Sequence, residues 1–213
     1  MKIREVKGKR EKRRFVKLPW SIYESYPYWV PPLIAEQMKI LDPGKNPFFE
    51  HAELKLLLAE DDRGRVVGRI AAIIDRRYIA YTGIKVGFFG FFESIEDPSV
   101  SSLLFERVED WLRERGMERI IGPMDPSTNY QCGLLIEGFD LPPTFMMPYN
   151  PPYYQKLIEG YGFRKAKDLD AYFVELSEEH LERLPKKVER SLSQRNVRVR
   201  TVSYTHLTLP TKA

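Results

Sequence analysis

Residues 84–124, IKVGFFGFFESIEDPSVSSLLFERVEDWLRERGMERIIGPM, restrict the fold more than any other stretch of the chain. They read as a buried aromatic strand, an acidic loop, a helix and a second strand, the crossover unit that creates a parallel strand pair. The helix is marked at both ends: Asp97 suits the N-cap, Pro98 the first helical position, and Gly116 lies past the last turn. Val100, Leu103, Leu104, Val108, Trp111 and Leu112 form its apolar stripe. Gly87 and Gly90 interrupt the strand of Phe88, Phe89, Phe91 and Phe92. A glycine in a strand marks a bulge or the close approach of another backbone or a ligand.

The residues before this unit predict a sheet for it to join. A short strand is expected over residues 3–6 and a basic helical segment over 9–17. An aromatic, proline-rich stretch of turns and extended pieces follows over 18–33, then a helix over 33–41. Strands over 53–60 and 65–74 flank the charged turn Asp61, Asp62, Arg63 and Gly64, which gives a hairpin. With the strand at 84–92 they form an antiparallel meander. Beyond Ile121 comes a long irregular region containing Asp125, Ser127, Thr128, Asn129, Tyr130, Gln131 and Cys132, placed where ligands gather, outside a strand end. Asn150 is expected to cap a helix over 151–159, and Gly162 and Phe163 to open a last strand pair, with Asp168 at the turn and the second strand over 171–176.

Charge and cysteine content narrow the function classes. The net charge of +4 hides an uneven distribution: residues 1–17 carry nine Lys/Arg against Glu5 and Glu11, and residues 183–200 carry seven against Glu189. The stretch 18–182 is acidic, with 17 Lys/Arg and 27 Asp/Glu, so the basic runs sit at the edges of an acidic middle. That disfavours a nucleic-acid partner, whose footprint belongs on the folded face. One cysteine and three scattered histidines exclude a disulfide framework and a structural zinc site, so no metal is expected. No apolar run reaches membrane-spanning length and no secretory signal is visible, which predicts a cytoplasmic protein.

Residues 202–213, VSYTHLTLPTKA, resemble one reading frame of a transposon-based sequencing adapter. They are expected not to be native, so that the natural chain continues past Thr201 and His206 stands outside any catalytic reading.

The order meander, helix, strand, helix, strand resembles the GNAT superfamily of acyl-CoA-dependent N-acyltransferases. The segments NPFFEHAE (46–53), GRIAAIID (68–75), KVGFFGFFE (85–93), WLRERGM (111–117), GPMDPSTNYQCGLLIEGFD (122–140) and YNPPYY (149–154) resemble a bacterial GNAT-like family with two GNAT-like halves. The resemblance implies an α/β (α+β) fold: a mixed, mostly antiparallel sheet with a central splayed parallel strand pair and flanking helices. It implies a GNAT-like domain over 1–176, the start of a second half over 177–201 and a missing C-terminal half as partner within the chain.

For function the resemblance implies transfer of an acyl group from acetyl-CoA or another acyl-CoA to a small-molecule amine. The strand at 86–92 would receive the pantetheine arm, with Gly87, Phe91, Phe92 and Asn150 as coenzyme contacts and Asn129, Tyr130, Cys132 and Tyr153 as substrate contacts. Glu93 stands where several such enzymes keep a general base. The usual acid, a tyrosine four residues before the Gly-Phe pair, is here Ile158; Tyr154, one turn earlier on the same face, takes that role only if the backbone shifts. The loop that normally cradles pyrophosphate with glycines reads ESIEDP at 93–98, without glycine and with three carboxylates. Two alternatives stay open: a non-catalytic GNAT-like half that binds a ligand or supports its partner half, and a basic nucleic-acid or membrane-surface module. The residues themselves favour Glu93 as an acidic neighbour of the helix N-terminus and Cys132 as a buried thiol rather than a nucleophile.

Overall fold

The computed structural model describes residues 1–175 and Ser177. Two compact units divide the chain, residues 1–168 and 169–213. In the second, residues 169–175 carry no helix or strand. The start of a second half expected over 177–201 and the tail over 202–213 expected to be non-native lie outside the described residues, Ser177 apart. So do His180, His206 and the basic run at 183–200.

The first unit is built on a five-stranded sheet. β1 (Lys2–Glu5), β2 (Ala52–Glu60), β3 (Val66–Asp75) and β4 (Val86–Ser94) pair antiparallel in that order, and β5 (Arg119–Ile121) runs parallel to β4. The fold is therefore mixed α/β, a mostly antiparallel sheet with one parallel strand pair and flanking helices, as the sequence predicted. α5 (Pro98–Arg113) makes the crossover between β4 and β5; Asp97 caps it by accepting a hydrogen bond from Ser99 N–H at 2.8 Å, and Gly116 turns the chain away at φ +77°. Its apolar stripe packs with α6 (Tyr153–Tyr161) on one face of the sheet, where Leu57, Ile70, Phe89, Phe92, Leu104, Phe105 and Tyr154 form one core. α1 (Gly8–Lys17) and α3 (Ile34–Ile40) cover the other face over Leu56, Ile73, Phe88 and Phe91. Each large apolar side chain withdrawn from water in these layers contributes about 1.5–3 kcal/mol.

β4 breaks the alternation of a regular strand. Phe89 and Phe92 belong to one core, Val86, Phe88 and Phe91 to the other, so the spacing across Gly90 is three residues rather than two. An extra residue is present: Arg69 pairs with Glu93 and Ala71 with Gly90, a β-bulge at which Phe91 takes φ +49°. The left-handed region is uncommon for a bulky residue and is held here by packing on both faces.

Two local expectations are revised and two elements were not expected. Asn150 does not cap the last helix, which starts at Tyr153 behind Pro151 and Pro152; its amide instead clamps Leu135, giving to the carbonyl at 3.2 Å and accepting from the N–H at 2.7 Å. The final strand pair is not formed over residues 163–175. Gly162 at φ +116° turns the chain so that the Phe163 ring lies 5.0 Å from Phe89 and 5.1 Å from Phe105, drawing it into the helix layer instead of the sheet. α4 (Arg76–Thr82) was unforeseen, although Asp75 caps its Arg77 and Tyr78 N–H groups and Gly83 closes it at φ +70°. The irregular region also holds a two-residue strand pair, β6 (Met124–Asp125) with β7 (Gln131–Cys132).

Candidate active site

The end of β4 carries a buried polar cluster. Glu93, 8% exposed, sits opposite Arg69, 6% exposed, with Oε1 3.3 Å from Nη2. Its other oxygen, Oε2, accepts a hydrogen bond of 2.6 Å from the hydroxyl of Tyr154 on α6, and that hydroxyl in turn accepts from Ser94 N–H at 3.0 Å. Arg69 is fixed from behind, its Nη1 donating to the Phe15 carbonyl at 2.8 Å and its guanidinium lying 5.0 Å over the Phe15 ring. α1 is thereby tied to the cluster through its own C-terminal carbonyls. The Tyr23 hydroxyl donates to the Tyr149 carbonyl at 3.1 Å and its ring stacks on Trp29, 4.8 Å between centroids, so the aromatic N-terminal stretch roofs the site.

These groups wall a cavity of about 120 Å³. Its lining includes Glu93, Tyr154, Phe92, Asn150 and Cys132 from the sequence-derived candidates. The others lie elsewhere. Gly87 is covered by Leu112, and Phe91 is buried in the core under α1. Asn129 sits in an exposed turn, Tyr130 donates to Asn46 Oδ1 at 3.2 Å, and Tyr153 donates to the Ser94 carbonyl at 2.8 Å. Arg69, Tyr23, Trp29 and Tyr149 also line the cavity and were not singled out from the sequence. An arginine inside the apolar run VVGRIAAII was the available signal, because a lone cation there must find partners when buried.

Burial dominates the titration of the cluster. It pushes the Glu93 carboxyl up, against the opposing pull of Arg69 and of the Tyr154 and Tyr23 hydroxyls. Burial and then the Glu93 charge hold Tyr154 well above the usual tyrosine range, so its hydroxyl stays a donor. Asp125, whose Oδ1 takes the N–H of Phe91 at the bulge, is raised by burial to about 6. A carboxyl raised on folding binds extra protons in the native state, so its stabilising contribution is complete below about pH 4 and is lost as pH rises through about 6. Asp125→Asn keeps the acceptor and removes the titration. Urea unfolding across pH should find the variant about 2 kcal/mol more stable than wild type at pH 8 and equal to it near pH 4, with parallel curves as the refuting result.

Over most of its length the chain aligns with a protein of Caulobacter vibrioides (strain NA1000 / CB15N) named "Bacterial ceramide synthase": 41% identity over 188 residues, covering 88% of this chain and 49% of the relative. The chain is similar to a bacterial ceramide synthase. It is 38% identical over 173 residues to Protein YghO of Escherichia coli K12, covering 81% of this chain and 44% of that one. It thus spans about half the length of the curated relatives it matches. No family model matches it. Among solved structures, a putative acetyl transferase from Pyrococcus furiosus superposes with a TM-score of 0.48 at 16% identity, over 81% of this chain and 100% of that one. Among the described residues, no helix is long and apolar enough to cross a membrane and no cluster of side chains suits a metal ion.

Proposed function

We propose that this chain carries the site of an N-acyl transfer from a thioester donor to a long-chain amino alcohol. The observation that carries the reading is the Arg69–Glu93–Tyr154 cluster, a base of raised pKa held in a buried, aromatic-walled cavity at the bulged end of β4. A carboxylate tuned upward is a better proton acceptor for an ammonium near neutral pH than an ordinary one. Glu93 takes one proton from the substrate ammonium, and the freed amine attacks the thioester carbonyl. As the tetrahedral species collapses, the C–S bond breaks, and the leaving sulfur takes up the second nitrogen proton by way of Tyr154. The products are an amide and a thiol, with one proton released.

The carbonyl oxygen needs a donor while it carries charge. The N–H freed by the β4 bulge, that of Phe91, is already given to Asp125. Arg69 Nε–H is buried without an acceptor among the described residues, and we assign it this role. The lipid character of the amine rests on the relative's name, since a ceramide is the amide of a fatty acid and a long-chain amino alcohol, and on the cavity mouth. Trp29, Val30, Pro143 and Met147 line the cavity, and Val30, Leu33, Leu141 and Phe145 on the same two loops are exposed, Phe145 at 91%. A cavity of this size takes the reacting ends, and the tails lie along the apolar rim.

The test is amide formation from a long-chain amino alcohol and a long-chain acyl-CoA, followed by mass spectrometry. Wild-type chain should form the amide and Glu93→Gln should form it roughly a hundredfold more slowly. Tyr154→Phe should lower the rate with little change in KM. No amide from the wild-type chain, or equal rates with Glu93→Gln, refutes the reading. The occupied Phe91 N–H favours, as a second reading, a half that binds the ligand without catalysis, which predicts amine binding unaffected by either substitution.

A further inference from the structure

The proposed thioester donor, if it is a coenzyme A ester, brings phosphates that the usual GNAT cradle cannot hold here. That place, the N-terminus of α5, is already satisfied: Asp97 Oδ1 accepts from both the N–H and the hydroxyl of Ser99 at 2.8 Å, the Asp97 carbonyl takes the N–H of Val100 and Ser101, and Pro98 has no N–H to offer. The Ser99 hydroxyl and N–H hold the Asp97 carboxyl below its usual range, so a charged carboxylate stands where a phosphate would sit. The residues present do not fit the group at that position.

An anion site of the opposite character lies beside it. Arg10, Arg13, Arg14 and Lys17 fall at i, i+3, i+4 and i+7 on α1 and together line an open groove of about 420 Å³, with Ser21 and Val66. Arg14 is paired with Glu60 at 2.7 Å. Arg10, Arg13 and Lys17 are exposed and make no ion pair or hydrogen bond to a side chain or loop among the described residues. Cations stacked at this spacing repel one another along the helix face, a repulsion that a bound anion relieves. The groove is also next to the chemistry. Val66 precedes Val67, whose carbonyl takes the N–H of Ile95 in the loop before α5. Leu18 and Ser21 line the groove, and Pro19 and Tyr23 of the same short segment line the catalytic cavity.

We propose that this groove holds the phosphate groups of the acyl donor, so that α1 replaces the glycine-rich loop as the coenzyme's anion cradle. The proposal rests on the thioester-donor reading above. Arginine forks and a lysine on one helix face give charge-assisted, partly bidentate contacts to a diphosphate and a phosphate monoester. The pantetheine arm then passes the α2 segment (Pro19–Ile22) into the cavity.

Equilibrium binding of coenzyme A to the full chain, with pantetheine as the phosphate-free comparison, tests this without turnover. Combined Arg10→Gln, Arg13→Gln and Lys17→Gln should weaken coenzyme A binding roughly tenfold to a hundredfold and flatten its salt dependence, leaving pantetheine binding unchanged. A control losing the same charge, Lys2→Gln, Lys9→Gln and Lys39→Gln, should bind as wild type, and circular dichroism should show both variants folded. Equal weakening in both, unchanged binding in the groove variant, or no coenzyme A binding by wild type overturns the proposal. So does association of the three cations with phosphatidylglycerol vesicles but not with coenzyme A. If coenzyme A binds through the groove and no amide is ever formed, the acyl-transfer reading fails and the groove stands. If amide forms at the same rate and KM in the groove variant, the groove alone fails.

Discussion

Arg69→Met is expected to cost about 3–5 kcal/mol of stability in urea unfolding at pH 7. The guanidinium is buried, reaches Glu93 Oε1 at 3.3 Å, and holds the Phe15 carbonyl at 2.8 Å. Removing it leaves the Glu93 carboxylate in a cavity wall with only tyrosine hydroxyls to offset its charge, and burial already pushes that carboxyl upward with the arginine present. Most of the loss is the cost of an uncompensated charge rather than of absent contacts. Arg69→Met with Glu93→Gln should therefore recover more than half of it, a strongly non-additive pair. If the two substitutions simply add, Glu93 is not ionised in the native state and the proposed base has been misassigned. The remaining loss reports on α1, whose last carbonyls would have no cation to receive.

The sequence showed the frame of this site better than its contents. α5 was legible because its marks are local: a cap, a proline at the first position, a stripe and a terminal glycine all lie within twenty residues. The meander and the parallel pair followed from strand periodicity. What stayed hidden depends on pairs remote in the chain. Arg69 meets Phe15 across 54 residues, and Glu93 meets Tyr154 across 61, and no spacing rule connects them. Glu93 and Tyr154 were reached through resemblance to a superfamily, from a position one turn off the usual tyrosine. Asn150 failed as a cap because capping was inferred from its neighbours in sequence, whereas its amide is used by Leu135, fifteen residues away. The cations of α1 were read only as a basic run at the edge of an acidic middle, since only the structure places them over Val66 and beside the loop that lacks glycine.

Gly87 and Gly90 looked alike in the sequence and differ in the structure, which gives the second large prediction. A Cβ at Gly87 would meet the flexible end of Leu112, Cδ2 at 2.3 Å, and a rotamer change relieves most of that, for a loss of about 1–2 kcal/mol. A Cβ at Gly90 would lie 1.6 Å from the Met124 carbonyl oxygen and 2.6 Å from its carbon. Backbone cannot rotate away. Gly90→Ala must lift β6 from β4, and with it Asp125 from the Phe91 N–H, so the loss includes a buried donor left unpaired and should reach about 3 kcal/mol or more. The same displacement frees the Asp125 carboxyl from its buried position, so the part of the pH dependence of stability that Asp125→Asn abolishes should shrink in Gly90→Ala as well. Urea unfolding of the two alanine variants at pH 5 and pH 8 measures both effects. A Gly90→Ala protein as stable as Gly87→Ala, or one whose pH dependence matches wild type, would mean that residues 124–125 do not seat on β4, and that the bulge N–H is open to a ligand after all.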